Sequence, residues 1–190
     1  MQFENTIIYL FGFPGTGKYT IAKEIVRQAN FVLVDNHLIN NPVFSIIRQD
    51  GVTKITPEVW SNCKKIWEIV WDTIHCVAPS SANYVLTNHL AEQDEGDREW
   101  FYRVVAHVEK KGAAFLPVRL LCAEEELRQR IVMPDRRERM KMTDTERLAQ
   151  YYRDYSVLKP DHPNLFELDV TSISADEAAK IILKKAQTIK

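Results

Sequence analysis

Gly12-Phe13-Pro14-Gly15-Thr16-Gly17-Lys18-Tyr19-Thr20 is the stretch on which the reading of this fold turns. It follows the strand-length apolar run 7–11 without a break and leads directly into the amphipathic stretch 21–29. Strand, loop and helix form the context in which a glycine-rich segment cradles phosphate. Glycines let successive backbone N–H groups turn inward with no Cβ in the way. The helix that follows adds its positive N-terminal end. Lys18 reaches the β and γ phosphates as a mobile charge and neutralises what accumulates in phosphoryl transfer. Three glycines and a lysine at these offsets, set between a strand and a helix, rarely arise in a mere turn.

Outward from the loop, apolar runs of strand length alternate with segments of helical period, the pattern of a parallel sheet with crossover helices. The strands are expected at 6–11, 31–34, 83–87, 115–122 and 165–169. Between 57 and 77, Val59, Trp60, Cys63, Ile66, Trp67, Val70, Trp71 and Ile74 recur at three- and four-residue steps, which predicts a long helix. Thr56 suits its N-cap and Pro57 its first position. Trp60, Trp67 and Trp71 share one face of it, which reads as core packing with an edge open to an adjoining cavity. Capping boxes at Thr143 with Glu146 and Ser174 with Glu177 predict helices over 144–156 and 175–189. Pro117 resists the scheme, because proline cannot donate to a central ladder, and the fourth strand is therefore expected to start near Val118. With no repeat, linker or low-complexity tract, 1–190 reads as one domain.

The composition closes off other classes. Of 190 residues, 45% are apolar and 27% charged, and 25 basic against 26 acidic side chains leave a net charge of -1. That balance argues against nucleic acid or a membrane surface as a partner, since such binders carry a basic excess. Cys63, Cys76 and Cys122 lack the close spacing of zinc or redox motifs and read as reduced core residues. No basic leader and no run of the roughly 18–20 apolar residues needed to span a bilayer are seen, which points to the cytoplasm.

The spacing Gly-x-Pro-Gly-x-Gly-Lys-x-Thr resembles the adenylate kinase branch of the P-loop kinases, which also holds gluconate, shikimate and chloramphenicol kinases. The resemblance extends more loosely over the whole chain. It implies a three-layer α/β P-loop NTPase fold of the nucleoside/shikimate kinase type, with a central five-stranded parallel sheet ordered 2-3-1-4-5. It also implies ATP and Mg²⁺ as cofactors, with Gly12, Pro14, Gly15, Thr16, Gly17, Lys18, Tyr19 and Thr20 as the nucleotide-binding loop. Tyr19 departs from the pattern, for the general motif places there a serine or threonine whose hydroxyl holds Mg²⁺; Thr20 restores a hydroxyl one position later, and the metal ligands stay undecided. Residues 124–143, with Arg128, Arg130, Arg136, Arg137, Arg139 and Lys141 and a break at Met133-Pro134-Asp135, resemble the family's lid. There Arg130 is implied to lie on the adenine and a second arginine, Arg136 or Arg137, to reach the phosphates. Read without the resemblance, the segment is either a hinged set of guanidiniums that closes over a triphosphate or a solvated helix with Glu124–Arg128 type pairs. The base itself is implied to sit near the turn at 171–175.

Transfer also needs an acceptor pocket beyond the carboxyl ends of the strands. The second strand ends in Asp35-Asn36-His37, and in the related kinases an aspartate at this point binds the acceptor or serves as base. Asp35 is thus expected either in that role or as a turn cap. His37 is either a second contact to the acceptor or structural, and Arg48 either holds an anionic acceptor or lies in a polar loop. The third strand ends in Thr87-Asn88-His89, without the acid that often helps to hold the metal there. Asp94-Glu95-Gly96-Asp97 reads first as a turn and helix start, though it could supply an acid. No Asp-Gly-Phe-Pro-Arg string, triple glycine or Asn-Lys-x-Asp motif occurs, which argues against nucleoside monophosphate kinases, shikimate kinases and GTPases. The expected activity is ATP-dependent phosphorylation of a hydroxyl on a small polar metabolite or antibiotic. The alternative is an ATP-binding switch that transfers phosphate to nothing.

Overall fold

The computed structural model describes residues 2–50, 53–133, 136 and 142–189. Five strands, β1 (Thr6–Phe11), β2 (Phe31–Asp35), β3 (Asn83–Asn88), β4 (Ala114–Leu121) and β5 (Phe166–Asp169), form one parallel sheet in the order β2-β3-β1-β4-β5. Helices α1 (Lys18–Gln28), α2 (Asn36–Ile46), α3 (Pro57–Cys76), α4 (Glu95–Lys111), α5 (Glu124–Ile131), α6 (Thr145–Asp154) and α7 (Ala175–Ala186) connect and cover them. This is the three-layer architecture and strand order that the sequence led us to expect. Strand β1 is central, so all six of its residues are buried, as expected of a parallel strand covered on both faces. The edge strand β5 leaves alternate residues exposed, whereas β2 exposes only Val32.

β1 runs level with both neighbours, Ile7 opposite Tyr84 and Phe115, and Phe11 opposite Asn88 and Arg119. The ends of β1 and β3 therefore deliver the phosphate loop and residues 88–89 to the same edge of the sheet. Helix α1 lies beside α7, tied by Arg27 to Asp176 at 2.7 Å and by Gln28 to the same carboxylate.

Three expectations need correction. Pro117 lies inside β4, opposite Tyr9 of β1, whereas β5 pairs with β4 only from Val118 onward. One flank of β4 is thus without a ladder partner at Pro117, and the missing donor disrupts nothing there. Helix α6 is capped by Asp144, whose Oδ1 accepts from Glu146 N and Arg147 N, so a carboxylate one residue later displaces Thr143 from the cap. Cys76, at the end of α3, is exposed and not a core residue, while Cys63 and Cys122 are buried; all three are free thiols. The box at Ser174 and Glu177 is present in full. Among the described residues no helix is long and apolar enough to cross a membrane.

Candidate active site

The loop leaves β1 under tight constraint. A Cβ on Gly12 would lie 2.6 Å from Leu120 O of the adjacent β4, closer than atoms approach, so only glycine fits between the two strands. Gly17 holds the left-handed φ of 85° that turns the chain into α1, a conformation costly for residues with a Cβ. Thr16 stiffens the bend, with Oγ1 donating to Phe13 O at 2.9 Å. No acidic side chain occupies the first turn of α1, so the partial positive charge of the helix end is left to an anion. Lys18 Nζ donates to Gly12 O and Phe13 O at 2.8 Å each, folded back over the loop that it would serve.

Two cavities adjoin the loop. The smaller, about 250 Å³, is lined by Thr16, Gly17, Thr20 and Ile21, by Arg130, and by Val170, Ile173, Ser174 and Ala175 after β5. Arg130 is fixed there, with Nη2 donating to Val170 O and Thr171 O and Nε to Glu126 Oε1 at 2.7 Å. Residue 130 and the turn at 171–175, assigned to the base by resemblance, thus meet in one pocket. Ion pairs of the Glu124–Arg128 type are present along α5 as well.

The larger cavity, about 1030 Å³, opens on the other flank of the loop. Pro14, Gly15, Gly17, Lys18, Tyr19 and Thr20 line it, together with Asp35, His37, Arg136 and Arg147. Arg136 Nε donates to Met142 O at 3.0 Å; Arg137, the alternative lid arginine, lies outside the described residues, as do Pro134, Asp135, Arg139 and Lys141. Arg48 is exposed and does not line the cavity. Its φ of 52° closes α2 as a left-handed cap, with Gln49 N reaching back to Phe44 O at 2.9 Å, so backbone geometry accounts for the residue.

Asp35 is buried at the end of β2. Its Oδ1 accepts from His37 N and Leu38 N at 3.1 Å, capping α2, and its Oδ2 accepts from Thr87 Oγ1 at 2.7 Å. A carboxylate offers about four acceptor sites. Three are used here, two on Oδ1 and one on Oδ2.

Sequence reasoning missed one residue and undervalued another. His89 is half-buried against the loop, with Nδ1 3.2 Å from Gly12 O and Nε2 2.8 Å from Tyr151 Oη. A carbonyl only accepts, so Nδ1 carries the hydrogen and Nε2 takes one from the tyrosine. Burial, with Lys18 close by, pushes the ring down to about 4, so it stays neutral. Asp97 lines the same cavity and accepts from Ala91 N at 2.8 Å through Oδ2, while Asp94 caps α4. Burial pushes the Asp97 carboxyl up to about 7, with the Asp94 charge adding to the shift. The signal available for Asp97 was its place in a capping string at the carboxyl end of the sheet. For His89 it was only adjacency to Asn88.

Aromatic side chains make the rest of the wall. Trp67 is buried and meets Trp100 edge-to-face at 5.4 Å, while Trp60 is 42% exposed and meets Phe44 in the same way at 5.9 Å. All four line the cavity. Trp71 is instead packed in the core, its ring parallel to that of His107 at 4.4 Å. Among the described residues no group of three or more His, Cys, Asp or Glu side chains is placed to hold a metal ion.

No protein-family model matches the chain, and no curated protein matches it in sequence. Its fold does match solved structures over nearly the full length. A gluconokinase from Sinorhizobium meliloti superposes with a TM-score of 0.62 at 13% identity, covering 96% of this chain and 92% of that one. An APS kinase from Mycobacterium tuberculosis gives 0.58 at 15%, covering 98% and 99%. A shikimate kinase from Acinetobacter baumannii gives 0.54 at 17%, covering 94% and 91%. The chain has the fold of the P-loop small-molecule kinases.

Proposed function

We propose that this P-loop kinase fold serves an ATP-dependent phosphotransferase whose acceptor is a hydroxyl on a small molecule. The observation that carries the reading is the shared cavity: Lys18 at the mouth of the phosphate loop and the Asp35 carboxylate line one space, as transfer from a bound triphosphate to a neighbouring alcohol requires. Backbone N–H groups from Gly15 to Thr20 and the start of α1 bind the phosphates. Lys18 leaves the loop carbonyls to meet the terminal phosphates, and Arg130 borders the pocket for the base. Arg136 approaches the transferring group from the lid segment, where a guanidinium stabilises spreading negative charge. Asp35 orients the acceptor hydroxyl through Oδ2 and takes its proton as the bond to phosphorus forms. His37, on the same wall, is a second contact for the acceptor.

Mg²⁺ enters as part of the nucleotide substrate, where it would neutralise phosphate charge, and Thr20 and Asp35 are the groups at hand to steady its waters. The side chains fit that arrangement better than a resident metal, because no cluster of ligands is built among the described residues.

ADP release from Mg·ATP, measured with the protein alone and with pooled sugars, sugar acids, nucleosides and amino alcohols, tests the reading. Release that depends on one pool supports it. Tight nucleotide binding without acceptor-dependent release overturns it in favour of a nucleotide-binding switch, the reading favoured by the three protein donors already on Asp35.

A further inference from the structure

We infer that the acceptor site selects an uncharged or cationic alcohol carrying a flat apolar ring, and rejects sugar acids and other carboxylates. The inference rests on the kinase reading above and deepens it. Three independent features of the α2–α4 wall point the same way.

Shape comes first. The wall presents two edge-to-face aromatic pairs, Phe44 with Trp60 and Trp67 with Trp100. Trp60 lies half in the open, although a large aromatic is ordinarily covered. A ring laid against it recovers the buried area and the stacking that the protein alone does not supply. A polyhydroxylated acid offers no such face, and it would dry this wall without return.

Charge gives the second argument. Among the described residues Asp35, Asp94 and Asp97 line this part of the cavity, the Asp97 carboxyl only part ionised near pH 7, against one exposed lysine, Lys64. The other cations among the described residues of the cavity, Lys18, Arg136 and Arg147, come from the loop, the lid segment and α6, where phosphate has first claim on them. Arg48, read from the sequence as a candidate for holding an anion, does not line the cavity. An anionic acceptor therefore meets carboxylates where it needs cations, while an ammonium or hydroxyl meets acceptors.

The third feature is a buried amide. Asn40 is 1% exposed and lines the cavity. Its Nδ2 donates to Asn36 Oδ1, whereas its Oδ1 has no donor among the described residues. An unmet acceptor of this kind favours a ligand that brings O–H or N–H groups to this wall; a carboxylate group placed against it brings neither, and an acid could meet it only through a separate hydroxyl.

A series on one scaffold separates charge from ring. Mandelate, 1-phenyl-1,2-ethanediol and 2-amino-1-phenylethanol share a phenyl ring and a benzylic hydroxyl but differ in charge, and gluconate supplies the acid without the ring. Binding of each is measured by calorimetry and ligand-observed NMR, with and without saturating Mg·AMPPNP. The diol and the amino alcohol are expected to bind at least about tenfold more tightly than mandelate or gluconate. Trp60→Ala, at a half-exposed position, should weaken both by about tenfold. Asp97→Asn should weaken the amino alcohol and leave the diol unchanged. Equal or tighter binding of mandelate or gluconate overturns the inference, and so does no saturable binding of the diol and amine to protein whose Mg·AMPPNP affinity is intact. Absent Mg·AMPPNP binding would instead strike the kinase reading, which the nucleotide titration reports separately.

Discussion

The two flanks of the phosphate loop are built on different principles. On the flank proposed for the nucleotide, the backbone sets the geometry: the carbonyls of Val170 and Thr171 fix Arg130, and the start of α7 closes a small pocket against the loop. On the flank proposed for the acceptor, side chains make the wall, from Asp35 and Asn40 to the paired tryptophans of α3 and α4. Backbone contacts tolerate sequence change, whereas side-chain contacts define a ligand. The contrast suits a chain that keeps the fold of a gluconokinase, an APS kinase and a shikimate kinase at 13–17% identity.

Substitutions on the two flanks should separate these roles. The largest effect is expected from Lys18→Ala, which removes the loop's only mobile charge; it should abolish measurable transfer, beyond about 10²–10³-fold, and weaken nucleotide binding while the fold stays intact. Normal ADP release by this variant would break the assignment of the loop. Asp35→Asn keeps a good N-cap for α2, so the fold should hold and nucleotide affinity should stay within a few-fold. Transfer should nevertheless fall by roughly 10²–10⁴ if the carboxylate is the positioned base. Unchanged turnover would reduce Asp35 to its capping role.

Asp97 sharpens the comparison through pH. Its folded-state value of about 7 stands above the usual 3.8, so the fold favours the neutral form. Its stabilising contribution is complete below about pH 4 and is lost as pH rises through 7. Asp97→Asn should therefore melt several degrees higher than the parent at pH 8, an effect on the order of 2–4 kcal/mol, and the two curves should converge toward pH 4. His89 works in the opposite sense. Its folded value of about 4 gives stability that is present above pH 6.5 and lost on acidification through 4. Thermal melts across pH 4–8 would show both limbs, and a flat difference between the parent and the Asp97 variant would contradict the burial of that carboxylate. The smallest effect belongs to Arg48→Gly, which relieves a left-handed φ. It should add about 1 kcal/mol of stability in chemical denaturation and leave ADP release untouched.

What could be read in the sequence is what the chain specifies locally. The strand-loop-helix around Lys18 and the Ser174 box depend on residues within a few positions of one another, and both are present as expected. Strand order came from resemblance, because the pairing of β1 with β3 and β4 joins segments about a hundred residues apart at most and leaves no local mark. The same distance hid His89, which reaches Gly12 across 77 positions only once β3 lies beside β1. Pro117 misled for a related reason, since whether a proline is tolerated depends on which flank of its strand is paired. Asp35 was legible as a residue at a strand end. Its capping of α2 was one of the two readings, whereas the third donor, Thr87 Oγ1, comes from β3 across 52 positions and left no local mark.

Gly12 carries a consequence for how such a protein can change over generations. Wedged against Leu120 O with no room for a single methyl group, it pins the loop to the middle of the sheet and makes that joint nearly immutable. Novelty is thereby channelled to the opposite bank, where α2, α3 and α4 can exchange one side chain for another without disturbing how phosphate is held. A lineage built this way keeps the joint between β1 and the loop fixed while the wall of the larger cavity is left to change.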